Sequence, residues 1–367
     1  MKKILFLIHD LGHGGAEKVL VNLVNNMDRQ KFDITVMALF GGGVNEQFLS
    51  KDVRLVVCHK KMIRGNSHIM KLFTPRQLYR YYIKEHYDVV VSYLEGPSAR
   101  IVSGCTAPDT KLIAWIHCTM HSPEQVSSSF RSYQEAMACY SCMDAIVSVA
   151  GTVQDAFLKN CQYAGESFVL YNTNESEKII EKSVEPVSIS DSSFCWCGVG
   201  KVIGSKGFDR MIRIQARLRA VGLDAHLYIL GDGPERKTLE QLAVENGVGD
   251  SVTFLGYQTN PYKYVAACDL FVCASHSEGF STAATEALIV GTPVCTVEVS
   301  GMKEMLGENN EWGIVTDNDE EALYQGIKRL LDDPELLAHY KEKAAERGKM
   351  FSTENTVKAV EDMLLSL

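Results

Sequence analysis

The stretch Glu278-Gly-Phe-Ser-Thr-Ala-Ala-Thr-Glu286 places two glutamates with seven residues between them. The short apolar run 270–273 before it predicts a buried strand, and the apolar run 283–289 predicts a helix. Ser281 or Thr282 is expected to cap that helix. Free amides at a helix start favour an anion, and a glutamate in apolar surroundings needs a polar partner such as a ligand hydroxyl. The stretch therefore predicts a strand, a ligand-binding loop and a helix.

Bulk properties restrict the possible classes of protein. A length of 367 residues predicts two domains. The net charge, 37 minus 46 or −9, argues against a general nucleic-acid binder. The eleven cysteines show no paired metal-binding spacing, which favours reduced thiols and a cytoplasmic location. We expect no signal peptide, because the N-terminal apolar run is too short, and no apolar run approaches the roughly 20 residues of a membrane span. Asp317-Asn-Asp319 predicts a helix cap rather than a metal site.

The order of strands and helices predicts the fold class. Apolar runs at 4–8, 33–39, 53–57, 88–92, 111–116 and 145–149 alternate with helical segments, which predicts a doubly wound parallel sheet. Ligands of such sheets bind beyond the carboxyl ends of the strands, here at the loops 9–15, 93–96 and 117–121. A polar stretch then precedes a second alternating block. The expected organisation is a domain at 1–172, a linker at 173–193, a second domain at 194–350 and a final helix at 351–367.

Glycine-rich loops follow three strands of the second block. The loop 198–208 contains Gly200, Lys201 and Lys206, but it does not have the spacing of a phosphate-binding P-loop. Gly231-Asp-Gly-Pro234 follows the next strand, and Tyr257 follows the strand after that. In the first block, Gly14 and Gly15 precede a helix and lack the final glycine of the dinucleotide fingerprint.

These motifs together resemble the family 4 retaining glycosyltransferases. The resemblance covers nearly the whole chain and is strongest from 194 to 313 and at 14–18. It implies the α/β GT-B fold: two Rossmann-like domains, each a doubly wound parallel sheet, facing a cleft, with the C-terminal helix returning to the N-domain. It also implies transfer of a hexose or N-acetylhexosamine from a nucleotide-diphosphate sugar, with UDP as the expected nucleotide, without a cofactor or a metal.

The resemblance also implies the roles of individual residues. Glu278 holds sugar hydroxyls, Glu286 holds the ribose, and Lys206 grips the diphosphate; Lys201 stands where the family usually has arginine, so the bidentate grip of arginine is missing there. His117 orients the sugar. The expected catalytic residues are His117, Glu278, Lys201 and Lys206; the donor-binding residues are Gly14, Gly15, Gly200, Lys201, Lys206, Gly231, Tyr257, Glu278, Gly279, Phe280, Ser281, Thr282, Ala283 and Glu286; the acceptor-binding residues are His9, Glu95 and His117.

The segment 51–84 has a charge balance unlike the rest of the chain. It holds nine lysines and arginines and one acid, a balance of +8, so the remainder carries −17. Apolar and aromatic residues lie between the cations. A solvated basic face is one interpretation. The other is contact with an anionic membrane surface, where each basic residue near the lipid contributes about 1 kcal/mol. Together with the family resemblance, that interpretation implies a polyprenyl-diphosphate-linked or glycan acceptor in surface polysaccharide assembly, at the inner face of the membrane.

Two other functions remain open from the sequence. A UDP-sugar epimerase-like enzyme would use a similar frame and isomerise the sugar without an acceptor. A non-catalytic subunit would bind the sugar nucleotide without turnover, and the lysine at 201 is the hint in its favour. The sequence does not name the sugar, the acceptor or the oligomeric state.

Overall fold

A computed structural model describes residues 1–12, 14–62, 65–189 and 194–367. It divides into one compact unit of Met1–Asn174 with Thr353–Leu367, and a second of Glu175–Ser352. Three expectations touch residues outside the described part: His13 in the first glycine loop, Arg64 in the basic segment, and the linker end at 190–193.

The first unit is built on a parallel sheet of seven strands in the order β3-β2-β1-β4-β5-β6-β7. All six expected strands are present. Five of them are mostly buried, as expected for a parallel sheet covered on both faces, whereas the edge strand β3 is half-buried to exposed. The edge strand β7 was missed, since its residues are at most half-buried and form no apolar run. The strands are β1 Lys2–Ile8, β2 Phe32–Phe40, β3 Arg54–His59, β4 Val89–Ser92, β5 Lys111–Ile116, β6 Ala145–Ser148 and β7 Glu166–Val169.

The helices of the first unit connect these strands. The first of them, α1, starts at the second glycine of the pair and buries Val19, Leu20, Leu23 and Val24. The helices are α1 Gly15–Asn26, α2 Asn66–Met70, α3 Pro75–Tyr82, α4 Pro97–Val102, α5 Pro123–Ser127, α6 Tyr133–Ser141 and α7 Gly151–Cys161.

A buried ion pair between α4 and α6 also fixes part of the basic segment 51–84 within the first unit. Arg100 of α4 is 1% exposed and donates to both carboxylate oxygens of Glu135 of α6, at 3.2 and 2.8 Å. Its remaining N–H groups donate to the carbonyl oxygens of Met70 and Phe73, both at 2.7 Å. Removing one partner of such a pair costs about 3–5 kcal/mol. Arg100 therefore fixes the backbone that presents the exposed side chains around Leu72.

The second unit contains a parallel sheet of six strands in the order β10-β9-β8-β11-β12-β13. Its core centres on Trp196 of β8, whose indole N–H donates to Gln215 at 2.8 Å. The strands are β8 Phe194–Val199, β9 Ala225–Leu230, β10 Val252–Gly256, β11 Leu270–Cys273, β12 Val294–Val297 and β13 Ile314–Thr316.

The helices of the second unit include one from the expected linker. Ser176–Ser183 form α8, which packs on α11 and α12, so this part of 173–193 belongs to the second unit rather than to a separate connection. The amphipathic spacing that buries Ile179 explains the difference. The helices are α8 Ser176–Ser183, α9 Phe208–Ala220, α10 Arg236–Glu245, α11 Tyr262–Ala267, α12 Thr282–Ile289, α13 Met302–Leu306, α14 Glu320–Asp332 and α15 Pro334–Gly348.

The final helix, α16 (Thr353–Ser366), belongs to the first unit. Lys2 Nζ donates to the carbonyl oxygen of Leu364 at 2.9 Å, and the carboxylate of Glu361 accepts from the backbone of Asp28 at 2.6 Å and from Lys31 Nζ at 3.1 Å. The expected return of the C-terminal helix to the N-terminal domain is confirmed.

Candidate active site

Three loops meet at the carboxyl edge of the second sheet because β9, β8 and β11 are adjacent parallel strands. The amide of Gly200, after β8, donates to the carbonyl oxygen of Leu230 at 2.9 Å, and the amide of Val202 donates to that of Asp232 at 3.0 Å. The amide of His276, after β11, donates to the carbonyl oxygen of Ser205 at 2.8 Å. Backbone hydrogen bonds thus join the loops that the sequence singled out.

Two glycines allow these loops to approach so closely. Gly231 has φ +136°, and a Cβ atom there would lie 1.8 Å from the carbonyl oxygen of Gly200. Gly207 has φ +66°, and a Cβ atom there would lie 2.0 Å from the carbonyl oxygen of Ala274. Only glycine fits either position. For Gly231, predicted to bind the donor, the structure shows a conformational reason for the residue type.

The structure brings Lys206 and Glu278 together. Lys206 Nζ lies 2.5 Å from Glu278 Oε1, and Ser275 Oγ donates to the same oxygen at 2.6 Å. The side chains of Lys206 and Glu278 are 28% and 11% exposed. The nearby Cys273 is buried, and its pKa is raised by that burial and by the charge of Glu278, so the thiol stays neutral. The two residues predicted for diphosphate and sugar therefore form one charged cluster.

Helix α12 begins as the sequence predicted. Ser281 is its N-cap, and the Ser281 hydroxyl accepts from the amide of Ala284 at 3.3 Å. Thr282 and Ala283 begin the first turn, and Gly279 and Phe280 lie directly before the N-cap. The Phe280 side chain is buried, with its ring centroid 5.9 Å from that of Phe351. The Phe280 ring therefore anchors the loop, and the predicted role of this residue in donor binding stays a prediction.

Glu286 lies on the buried side of the same helix. It is 9% exposed, and Tyr262 Oη of α11 donates to Glu286 Oε1 at 3.4 Å. The expectation that this carboxylate needs a polar partner is met by a tyrosine hydroxyl 24 positions earlier.

Lys201 and Tyr257 differ from these residues in exposure. The Lys201 side chain is exposed, and among the residues that the structure describes it forms no ion pair. Tyr257 is 73% exposed and directly follows Gly256, which has φ +69°. Both remain available to a ligand at the loop ends, and their predicted roles remain predictions.

In the first unit, Glu95 and His117 follow the adjacent strands β4 and β5 and contact each other. The His117 amide donates to Glu95 Oε2 at 3.0 Å. The imidazole of His117 lies 4.8 Å from the ring of Tyr93 and stacks on Trp115 at 6.4 Å, between ring centroids. Burial lowers the pKa of His117 to about 3, and its buried Nε2 has no hydrogen-bond partner within the described ranges. The ring is therefore neutral at physiological pH.

His9 and the glycine pair lie at the same edge, after β1. His9 Nδ1 is 2.7 Å from Asp10 Oδ2, and His9 Nε2 is 3.4 Å from Asn66 Oδ1. Gly14 is the N-cap of α1 and Gly15 its first residue, and both are exposed. These residues join the edge that carries Glu95 and His117, because β1 pairs with β4 and β4 with β5.

Sequence reasoning missed several residues that support this site. Arg210 of α9 makes a 2.6 Å hydrogen bond through Nη2 to His276 Nδ1 and a 2.8 Å hydrogen bond through Nη1 to Asn318 Oδ1. This contact ties the Glu278 loop to the helix after the Lys206 loop. Ser275 and His276 lay within the glutamate loop itself, but Arg210 and Tyr262 are distant in sequence and carry no local signal.

Other features of the described residues bear on expected partners. Outside residues 13, 63–64 and 190–193, which are not described, no group of three or more His, Cys, Asp or Glu is placed to hold a metal ion. Asp319 instead caps α14, accepting from the amide of Ala322 at 2.8 Å. The cysteines are free thiols. Across the described ranges, no helix has the length and apolar character needed to cross a membrane.

Two parallel-sheet units with these loops define a transferase of the GT-B class. The family model for glycosyltransferase family 4 matches residues 13–173, and the model for group 1 glycosyl transferases matches residues 180–347. Together the two models match nearly the whole chain, which identifies it as a glycosyltransferase of the GT-B type, and both the GT-B prediction and the family resemblance are confirmed.

Individual relatives are similar to this chain over nearly its full length. The N-acetylgalactosamine-N,N'-diacetylbacillosaminyl-diphospho-undecaprenol 4-alpha-N-acetylgalactosaminyltransferase of Campylobacter jejuni is 28% identical and covers 99% of both chains. The lipopolysaccharide core biosynthesis glycosyltransferase LpsD of Rhizobium meliloti is 26% identical over 98% of this chain and 96% of its own. The crystal structure of Anabaena Alr3699/HepE in complex with UDP superposes with a TM-score of 0.78 at 19% identity, covering all of both chains.

Proposed function

We propose that this glycosyltransferase retains the anomeric configuration and moves a hexose or N-acetylhexosamine from a UDP-sugar to a hydroxyl of a lipid-linked or glycan acceptor in surface polysaccharide assembly. The observation that carries the proposal is the Lys206–Glu278–Ser275 cluster at the carboxyl edge of the second sheet. It combines one cation for a diphosphate with one carboxylate for sugar hydroxyls.

The donor is held by residues of the second unit. Lys206, with Lys201 at the loop start, offsets charge on the diphosphate as it leaves, and the helix-start amides near Phe280 and Ala283 add to this. Glu278 accepts hydrogen bonds from the sugar. Glu286, oriented by Tyr262, accepts from the ribose hydroxyls. UDP is favoured because the structurally similar Anabaena protein was solved with UDP and with UDP-glucose.

The acceptor hydroxyl is held by residues of the first unit: His9, Glu95 and His117. Because His117 is neutral, it suits neutral ligand groups such as a hydroxyl or a sugar better than it suits an anion. The hydroxyl oxygen forms a bond to the anomeric carbon on the face that the diphosphate leaves. The anomeric carbon–phosphate oxygen bond breaks with its electron pair, and the hydroxyl proton passes to the departing phosphate.

The lipid-linked acceptor is favoured by two observations. The Campylobacter relative is named for a diphospho-undecaprenol acceptor. In this chain, the basic segment 51–84 exposes Met62, Ile69, Leu72 and Phe73 at 57%, 47%, 76% and 46%. Basic residues with exposed apolar side chains suit the surface of an anionic bilayer. The proposed location is cytoplasmic, with peripheral contact at the inner face of the membrane.

Transfer is tested with purified protein, a panel of UDP-, GDP- and ADP-sugars, and diphospho-polyprenol or glycan acceptors. We expect acceptor-dependent release of UDP, an unchanged rate in EDTA, and an α-linked product from an α-linked donor by NMR. Isomerised sugar without an acceptor would instead support an epimerase-like enzyme. Binding without turnover across the panel would support a non-catalytic subunit, and a β-linked product would contradict retention.

Membrane contact is tested by sedimentation with vesicles of phosphatidylglycerol and phosphatidylcholine. We expect the double variant Leu72→Ser, Phe73→Ser to bind anionic vesicles about tenfold more weakly than the wild type. The matched control, Val221→Ser with Val244→Ser, changes two exposed apolar residues of the second unit, 57% and 66% exposed. Equal binding by all three proteins, or binding without preference for anionic lipid, would contradict this part of the proposal.

A further inference from the structure

The cation and the carboxylate proposed to bind opposite ends of the donor sugar-diphosphate bind each other. Glu278 Oε1 lies 2.5 Å from Lys206 Nζ and also accepts from Ser275 Oγ at 2.6 Å. The carboxylate is 11% exposed, so solvent screens its charge only weakly. Lys201, in contrast, is exposed and forms no ion pair with any residue that the structure describes. The two lysines of this loop are therefore not equally available to an anion.

We infer that the Lys206–Glu278 pair selects an intact nucleotide sugar over the free nucleoside diphosphate, an inference that rests on the proposed function. A diphosphate that approaches Lys206 competes with Glu278 for the same ammonium group. It also meets the negative charge of Glu278 at short range, where like charges repel. A nucleoside diphosphate without a sugar has nothing to offer this carboxylate, so its binding is weakened.

A nucleotide sugar removes both obstacles at once. Its sugar hydroxyls donate to Glu278 and replace the hydrogen bond from Lys206, which leaves the ammonium group to the diphosphate. Each carboxylate hydrogen bond that is broken is thus replaced by another of similar kind. After transfer the sugar is gone, the ion pair re-forms, and the nucleoside diphosphate product is bound more weakly than the donor. The same pair therefore favours product release.

The inference is tested by calorimetric titration with UDP and with the UDP-sugar that supports transfer. We expect Glu278→Gln to bind UDP about tenfold more tightly than the wild type, because the competing charge is removed, and to bind the UDP-sugar no more tightly. The preference of the wild type for the sugar nucleotide is then lost. The matched control Glu235→Gln removes one negative charge from the neighbouring loop after β9, and its UDP affinity should stay within about twofold.

A second variant should act in the opposite direction. Ser275→Ala removes the hydroxyl that shares the carboxylate, so Glu278 pairs more strongly with Lys206 and UDP binds about threefold more weakly. Thermal unfolding measured in parallel checks that the variant stays folded after the loss of this buried hydroxyl. If the wild type is an active transferase, unchanged or weaker UDP binding by Glu278→Gln overturns the inference alone. Absence of nucleotide binding by the wild type overturns the proposed function with it.

Discussion

The polar groups at the carboxyl edges of the two sheets are prepared in different ways. In the second unit, Lys206 and Glu278 are charged, partly exposed and paired with each other. In the first unit, His117 is buried beside the rings of Tyr93 and Trp115 and is neutral, and its Nε2 has no hydrogen-bond partner in the described part of the chain. Each member of a charged pair can exchange its partner for a charged ligand. A desolvated neutral ring, in contrast, suits only a neutral ligand group. Under the proposed function, the same sheet architecture binds a diphosphate in one unit and a hydroxyl in the other.

The largest expected effect separates the two lysines of the second unit. Lys206→Ala should lower kcat/KM about 10³-fold, since it removes a held cation from the departing diphosphate. Lys201→Ala, its matched control in the same loop, should lower kcat/KM about tenfold, because Lys201 is exposed and unrestrained. Steady-state kinetics with the preferred donor measure both. Equal losses would show that the ion pair does not distinguish the lysines.

The next effect concerns the neutral site of the first unit. His117→Ala should lower kcat about 100-fold and leave the Kd for UDP within about twofold of wild type, because the imidazole acts on the sugar and acceptor rather than on the nucleotide. Kinetics and calorimetry on the same preparation give the two values. A similar loss of UDP affinity would contradict the proposal that the second unit binds the nucleotide and the first unit binds the acceptor.

The dependence of the free energy of unfolding on pH should show that His117 is neutral in the native protein. The pKa of His117 falls from 6.5 to about 3 on burial, so between these values the unfolded chain binds the proton and the native chain does not. This contribution to the free energy of unfolding is present above about pH 6.5 and is lost as the pH falls, by about 1.4 kcal/mol per pH unit.

The variant His117→Phe keeps an aromatic ring against Tyr93 and cannot titrate. Urea unfolding from pH 7 to pH 4 should therefore show a shallower loss for this variant than for the wild type. Curves that fall in parallel would mean that His117 is protonated in the native protein.

The smallest expected effect tests the tie between the two loops of the second unit. Arg210→Ala should raise the donor KM about fivefold with little change in kcat, because His276 loses its donor and the Glu278 loop loses its position. Arg210→Lys should recover part of the loss. Arg219→Ala, on the same helix but 3.5 Å from Asp250 at the surface, is the control and should behave as wild type. A changed kcat would point to a direct role instead.

Local sequence patterns predicted much of the fold and part of the site. The apolar runs predicted six of the seven strands of the first sheet and four of the six of the second, where the short strands β12 and β13 were not predicted. The Ser281 cap follows from its place directly before an apolar helix. Strand β7 was missed because an edge strand needs no continuous apolar run. Helix α8 lies where the sequence predicted a linker, since its packing on α11 and α12 depends on residues about 80 to 110 positions later.

What the sequence determined by itself was the class of protein and the residue types at the strand ends, because buried strands, helix caps and glycine turns are governed by near neighbours. Tertiary structure alone decided which charges meet. Glu278 is paired with Lys206, 72 positions away, and Glu135 with Arg100, 35 positions away. It also decided that His117 is neutral, since its pKa depends on complete burial beside Tyr93 and Trp115. Electrostatics and desolvation depend on distances in space, and only the folded chain sets those distances.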